Sequence, residues 1–390
     1  MSSALDWLDE ELRKLRDADL YRDLRHHGGP AGPWIELETA NGRRRVLHLS
    51  GNSYLGLADD ERVVEAAIEV ARTHGIGAGA SRLVTGGTDQ HRLLEAELAE
   101  FKGAQDAALL SSGYLANLAV VTALVGPGDT IVSDAWNHAS IIDACRLSGA
   151  EVRVHRHADA EHAEQLLRDA PGRRALITDG VFSMDGDLAP LPALCDAAER
   201  HGAAVIVDDA HGTGVVGPDG RGTAAALGCA DRVDAIVVTL SKSLGAAGGA
   251  VVGSRRLVHW VRNRARPFIF DTALPAAIVA AARCALRISI DEPERRANAL
   301  RHARRVAQAA REAGHAVGDV NSCIVPIVLG ENRTTLDAMQ TLLDHDVLVV
   351  AIRPPSVPRG AARLRVTTMA THTESDIDHA CSALQVALTT

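Results

Sequence analysis

The chain has 390 residues, 46% hydrophobic and 23% charged, an ordinary globular composition with enough length for more than one compact unit. A formal net charge of −9 without a dominant basic face argues against a nucleic-acid partner, and no apolar run reaches membrane-span length. Cys145, Cys195, Cys229, Cys284, Cys323 and Cys381 are scattered without a Cys-x-x-Cys pair, which suits reduced thiols in a cytoplasmic protein and gives no metal site.

Leu5, Leu8, Leu12 and Leu15 recur at helical spacing and predict an amphipathic helix to about Arg25, stopped by Gly28-Gly29-Pro30. Its mixed acids and bases fit neither a signal nor a transit peptide. Arg43-Arg44-Arg45 follows Asn41-Gly42 and borders a predicted hairpin. Strands are then predicted at 107–110, 130–132, 152–154, 175–178, 204–207 and 236–238. Helical patterns such as 93–101 and 191–200 fall between them. This alternation implies crossover connections and a mostly parallel sheet covered on both faces. Beyond about residue 275 a second α/β segment follows, with a helical stretch through Arg311 and strands near 324–329 and 347–351. The expected division is an N-terminal helix and arm over 1–50, a large domain over 51–275 and a smaller α/β domain over 276–390.

In such sheets ligands bind beyond the carboxyl ends of the strands, so the residues that follow each strand carry the functional signal. Only three lysines occur: Lys14, Lys102 and Lys242. Lys14 and Lys102 lie in charged helical contexts and read as solvated surface residues. Lys242 follows an apolar run and precedes Ser243-Leu244-Gly245-Ala246-Ala247-Gly248-Gly249, with no other charge nearby. A primary amine there can form an imine with an aldehyde, which a guanidinium does not readily do. A lysine reaching out of a loop is the other reading of this segment alone. One strand earlier, Asp208-Asp209-Ala210-His211 places a carboxylate and an imidazole at a strand end; taken alone, Asp208 also reads as a turn or cap acid. Together with Lys242, the set matches what pyridoxal phosphate needs: a carboxylate for the ring nitrogen and a lysine for the aldehyde. Thr239, Ser241 and the Ser112-Gly113-Tyr114 helix start supply hydroxyls and amides for its phosphate. His138 follows another strand, where an imidazole can stack on a flat ring or cap a helix. Asp185-Gly186-Asp187 lacks a third metal ligand and reads as a turn. The 75–82 glycine-rich run fits no nucleotide template.

Several of these segments, in order, closely resemble the α-oxoamine synthases, fold-type I pyridoxal-phosphate enzymes with an aspartate-aminotransferase-like α/β fold. The segments are Asn52-Ser53-Tyr54-Leu55-Gly56-Leu57, Ser112-Gly113-Tyr114, Asn137-His138-Ala139-Ser140, Val181 to Asp187, Asp208 to Gly214 and Thr239 to Lys242. Ala351-Ile352-Arg353-Pro354-Pro355-Ser356-Val357-Pro358 resembles the family branch that joins L-alanine to a pimeloyl thioester in biotin biosynthesis. Ser53, Asp179 and Ser356 stand where relatives usually carry Asp, Glu and Thr.

The resemblance implies pyridoxal 5'-phosphate held by Lys242, Gly113, Tyr114, His138, Ser183, Asp208, His211 and Thr239, with Lys242, His138 and Asp208 as the catalytic set. It implies substrate contacts from Arg22, Asn52, His138, Arg353, Ser356 and Arg365, with Arg365 taking the alanine carboxylate in a bidentate contact. It also implies a decarboxylative condensation, with coenzyme A or a carrier protein as the acyl carrier. The assembly it implies is a homodimer whose active sites lie at the subunit interface, the segment from Phe270 to Pro275 reaching the neighbour's phosphate. Sister reactions with glycine or serine, and a non-catalytic binding protein on the same scaffold, are the alternatives.

Overall fold

Seven strands form the central sheet of the computed structural model, which describes residues 4–39 and 42–389. They are β1 (Asp106–Leu110), β2 (Thr130–Asp134), β3 (Glu151–His155), β4 (Arg174–Asp179), β5 (Ala203–Asp208), β6 (Ala235–Thr239) and β7 (Gly249–Gly253), in the order β1-β7-β6-β5-β4-β2-β3. From β3 to β6 every pairing is parallel, and β7 runs antiparallel between β6 and β1. Parallel pairing requires crossovers, and the helices between strands cover both faces. The strand interiors are therefore continuous apolar runs such as Ile236-Val237-Val238. Six strands match the predicted runs with slightly wider bounds. β7 is the addition, because its leading glycines mask Ala250-Val251-Val252. Gly249 is needed there for close approach: a Cβ would stand 2.5 Å from the amide nitrogen of Gly113.

The helices that place the site are α1 (Trp7–Asp17), α2 (Asp89–Lys102), α3 (Gly113–Leu124) and α4 (Ala139–Ser148). Ser112 caps α3 through its side-chain oxygen, which accepts from the Leu115 amide at 3.1 Å. Gly103 ends α2 in the left-handed region at φ 71°.

After α5 (Ala276–Asp291) and α6 (Pro293–Glu312), β8 (Ile324–Gly330), β9 (Val350–Ile352) and β10 (Ala362–Thr367) form an antiparallel sheet ordered β8-β10-β9. The predicted 347–351 strand is in fact two. Val347–Leu348 pairs parallel with Gly42–His48, whereas Val350–Ile352 joins β10. Gly42–His48 also pairs antiparallel with Trp34–Thr39, giving the expected hairpin; Asn41 lies outside the described residues. Arg44 reaches from it to Asp346 at 2.6 Å.

The N-terminal helix is shorter than predicted. Asp19 adopts the left-handed region at φ 55° and breaks the chain direction after Asp17, well before the glycines that the periodicity favoured as the stop. Lys102 is a second correction, since it is buried at 3% exposure, not a surface residue. Lys14 is exposed, as expected. All six cysteines are free thiols. No helix among the described residues is long and apolar enough to cross a membrane.

Candidate active site

The carboxyl ends of β2, β4, β5 and β6 open on one side of the sheet and carry His138, Asp179, Asp208 and Lys242. Two hydrogen-bond chains organise them. In the first, Lys242 Nζ lies 2.8 Å from His211 Nε2, and His211 Nδ1 lies 2.7 Å from the Tyr54 hydroxyl. Tyr54 also meets Asn52 Oδ1 at 3.0 Å, and Arg365 Nη2 donates to that same oxygen at 3.2 Å. Arg365 Nε donates to the backbone oxygen of Ser183 at 2.5 Å. In the second chain, Asn117 Nδ2 donates to Asp208 Oδ2 at 2.6 Å and to Ser140 Oγ at 2.9 Å. Ser140 Oγ lies 2.7 Å from His138 Nδ1, and the His138 amide donates to Asp179 Oδ2 at 2.7 Å.

Burial sets the charges of this region. It brings the Lys242 ammonium down to about 8, against the pull of Asp208 and Asp179. Burial, then the Lys242 charge, holds His211 well below its ordinary value, so this imidazole is neutral. Burial pushes the Tyr54 phenol up to about 12. Burial and the neighbouring Asp208 raise Asp179 well above the carboxylate range.

Gly113 begins α3 beside Thr239: a Cβ on Gly113 would stand 3.2 Å from the Thr239 side chain. Thr239 Oγ1 is 2.9 Å from Ser241 Oγ. The helix start and the two hydroxyls therefore converge, which makes a cradle for an anion. The Tyr114 hydroxyl turns away to Asp143.

The sequence-derived substrate residues fall in separate places, His138 in the Asn117–Asp208 chain. Asn52 and Arg365 belong to the Lys242 chain. Arg22 and Arg353 instead stitch the segment after α1 to the Arg353-Pro354 turn: Arg22 donates to the Pro354 oxygen at 2.9 Å, and Arg353 to the backbone oxygens of Asp19 and Tyr21. No hydrogen bond among the described residues joins this stitch to Lys242. Ser356 lines a cavity of about 360 Å³ shared with Trp136, Asn137, Phe182, Asp185 and Arg363.

Sequence reasoning missed two residues here. Tyr54 lay unremarked inside a matched segment, and Asn117 is a lone amide within the apolar helix Leu115-Ala116-Asn117-Leu118-Ala119, a signal that was available. Asp185 and Asp187 are occupied by Arg363 and His157, which accounts for their spacing without a metal.

His157 lies 3.7 Å from the Trp136 ring in a stacked geometry, between Asp134 at 3.0 Å and Asp187 at 2.9 Å. Burial pulls this imidazolium down, yet the hydrogen bonds to the two acids outweigh it and push it up to about 9. The folded value is above the unfolded value of about 6.5. Its contribution to stability is therefore fully present below pH about 6.5 and is lost as pH rises through about 9. Melting temperatures across that window will fall less steeply in His157→Gln than in the wild type. An unchanged slope would contradict the assignment.

The class I and II aminotransferase family model matches residues 44–384. The 8-amino-7-oxononanoate synthase of Lysinibacillus sphaericus is 43% identical over 382 residues, covering 97% of each chain. That of Geobacter sulfurreducens is 46% identical, covering 96% of each. Among solved structures, serine palmitoyltransferase from S. paucimobilis with bound PLP and myriocin aligns with a TM-score of 0.93 and 32% identity, over 99% of this chain and 98% of that one. The 8-amino-7-oxononanoate synthase of Francisella tularensis aligns with a TM-score of 0.75 and 26% identity, over 87% and 97%. The chain belongs to the 8-amino-7-oxononanoate synthase family, within the class I and II aminotransferases.

Proposed function

We propose that the chain condenses L-alanine with a pimeloyl thioester to give 8-amino-7-oxononanoate, carbon dioxide and free carrier, a step of biotin biosynthesis, using pyridoxal 5'-phosphate. The observation that carries this reading is the chain from Lys242 through His211, Tyr54 and Asn52 to Arg365, set beside Asp208. It puts an amine with a lowered pKa and a carboxylate receptor in one network.

The residues present fit the cofactor. Asp208 is buried at 5% exposure and has no ion-pair partner within 4 Å among the described residues; only Asn117 and the Ala210 amide donate to it. A buried carboxylate in that state calls for a cationic donor, which a protonated ring nitrogen supplies. Lys242 would hold the aldehyde, and Gly113, Thr239 and Ser241 the phosphate. His138 would stack on the ring and His211 would face its phenolic oxygen, with Ser183 and Tyr114 on the flanks. When bound, this cofactor acts as an electron sink for charge developing at the amino-acid Cα.

Alanine's carboxylate goes to Arg365, whose Nη1 has no protein partner among the described residues; a two-point grip requires Nη2 to exchange Asn52. Lys242 removes the Cα proton in its neutral form, for which a value of about 8 places it well. Alanine Cα then bonds to the thioester carbonyl carbon, the C–S bond breaks, and the carrier leaves as a thiolate that takes its proton from solvent. The alanine carboxylate departs as carbon dioxide, and Lys242 returns a proton to the carbon. Arg22, Arg353 and Ser356 border the way in for the acyl group. The working unit is a homodimer with shared sites, its 270–275 segment facing the neighbour.

One observation favours a sister reaction with serine and a longer acyl chain, namely the TM-score of 0.93 with serine palmitoyltransferase. Sequence identity of 43–46% to the oxononanoate synthases, against 32%, favours the alanine reading. Carbon dioxide release with alanine, glycine and serine, each against pimeloyl-CoA and palmitoyl-CoA, separates the two. Release with serine and palmitoyl-CoA alone would replace the alanine assignment.

The Lys242 amine also predicts how the cofactor loads. Imine formation needs the free base, so the rate of reconstitution with pyridoxal phosphate will rise with pH and level off just above about 8. An ordinary lysine would keep rising towards about 10.4. A rise that continues beyond pH 9 would contradict the burial argument.

A further inference from the structure

Lys102, at the last position of α2, spends all three of its donors inside the protein. It meets Asp209 Oδ2 at 2.7 Å, Thr213 Oγ1 at 2.8 Å and the Arg221 backbone oxygen at 2.7 Å. The ammonium group and the carboxylate are both nearly inaccessible, with side-chain exposures of 1% and 3%. Asp209 is equally saturated. Its Oδ1 accepts from the Thr223 amide at 3.0 Å and the Thr223 hydroxyl at 2.7 Å, and its Oδ2 accepts also from Thr213 at 3.1 Å. Three glycines clear the space for this carboxylate. A Cβ on Gly222 would stand 1.7 Å from Asp209 Oδ2, and Cβ atoms on Gly212 and Gly180 would stand 2.1 Å and 3.0 Å from Oδ1. So much room kept around one ion pair marks a built feature.

Asp209 directly follows Asp208 and opens the tight turn that carries His211. Its backbone oxygen accepts from the Gly212 and Thr213 amides at 3.1 and 2.9 Å, while its own amide donates to Val237 of β6 at 2.9 Å. Fixing the Asp209 side chain therefore fixes the start of the turn that carries His211. We propose that the Lys102–Asp209 pair is a positioning device, which holds the 208–214 turn so that Asp208 and His211 keep their orientation towards Lys242. Neither Lys102 nor Asp209 touches the reacting atoms. This inference rests on the roles proposed above for Asp208, His211 and Lys242.

Buried pairs contribute little net stability against an apolar replacement, so one built beside this turn is better accounted for by orientation. Lys102→Met keeps the stem and removes the charge. The test compares the full-length wild type, Lys102→Met, Asp209→Asn and the surface control Lys14→Met. Histidine-selective NMR, with His211 assigned through its loss in His211→Gln, reads the turn in the protein before cofactor is added. Activity per cofactor-loaded site reads the chemistry.

The expected result is altered His211 ring resonances in both pair variants and kcat lower by about 10- to 100-fold, with the thioester KM within about twofold of wild type. Lys14→Met will match the wild type in every readout. The inference is overturned if the pair variants only melt at lower temperature, while His211 resonances and kcat per loaded site stay at wild-type values. Failure of the reaction assignment looks different: the wild type releases no carbon dioxide from alanine and pimeloyl-CoA, yet the His211 comparison still reads the turn.

Discussion

Lys242→Ala will lower kcat by at least about 10³-fold and remove the visible absorbance of bound cofactor, with the fold unchanged by circular dichroism. The proposed reaction gives this one amine two functions, a covalent hold on the aldehyde and proton transfer at Cα. General acid–base work alone contributes about 10²- to 10⁴-fold. No second lysine can take over. Lys102 is locked in its ion pair with Asp209, and Lys14 is paired on the exposed helix α1 with Glu10 and Glu11. Lys242→Arg will fail equally, because a guanidinium keeps the charge but neither forms the imine nor releases a proton near neutral pH. If the alanine variant keeps more than a tenth of wild-type kcat, Lys242 is not the proton-transfer group.

Asp208→Asn will keep the shape of the site and still lower kcat by about 10²- to 10³-fold, the range for removing one preorganised electrostatic group. The substitution preserves the acceptor oxygen towards the Ala210 amide but removes the negative charge that favours a protonated ring nitrogen. Asn117 offers a check on whether that charge or the local geometry matters. It donates to both Asp208 and Ser140, so Asn117→Ala disturbs orientation while leaving the carboxylate in place, and the fall it causes will be smaller. Steady-state kinetics on cofactor-loaded protein measures both. Equal losses in the two variants would assign the effect to packing instead of charge.

The sheet was legible because its strands are apolar runs separated by helical periodicity, and burial on both faces leaves little else that pattern can mean. The polar residues at the strand ends single out Asp208, His211 and Lys242, and the structure joins His211 to Lys242 directly. Lys102 was misread for a physical reason. A lysine in the last turn of a helix is ordinarily solvated, and nothing local shows that its partner is Asp209, 107 residues away. Arg353 shows the same limit, since its hold on the Asp19 and Tyr21 backbone spans more than 330 residues. Local periodicity also set the end of α1 too late, because the break is a single left-handed aspartate and not a glycine. The two-chain network through Tyr54 and Asn117 was hidden for the remaining reason: the partners of each side chain come from different elements, and spacing along the chain does not reveal them.

In the proposed reaction this site joins alanine to a pimeloyl group with loss of the alanine carboxylate. Alanine labelled with carbon-13 at its carboxyl carbon, incubated with pimeloyl-CoA and the pyridoxal-phosphate-loaded protein, tests it by mass spectrometry. The expected result is label in released carbon dioxide, none in the organic product, and a product mass equal to 8-amino-7-oxononanoate in amounts matching the free coenzyme A. Label retained in the organic product, or thiol release without labelled carbon dioxide, would contradict the claim.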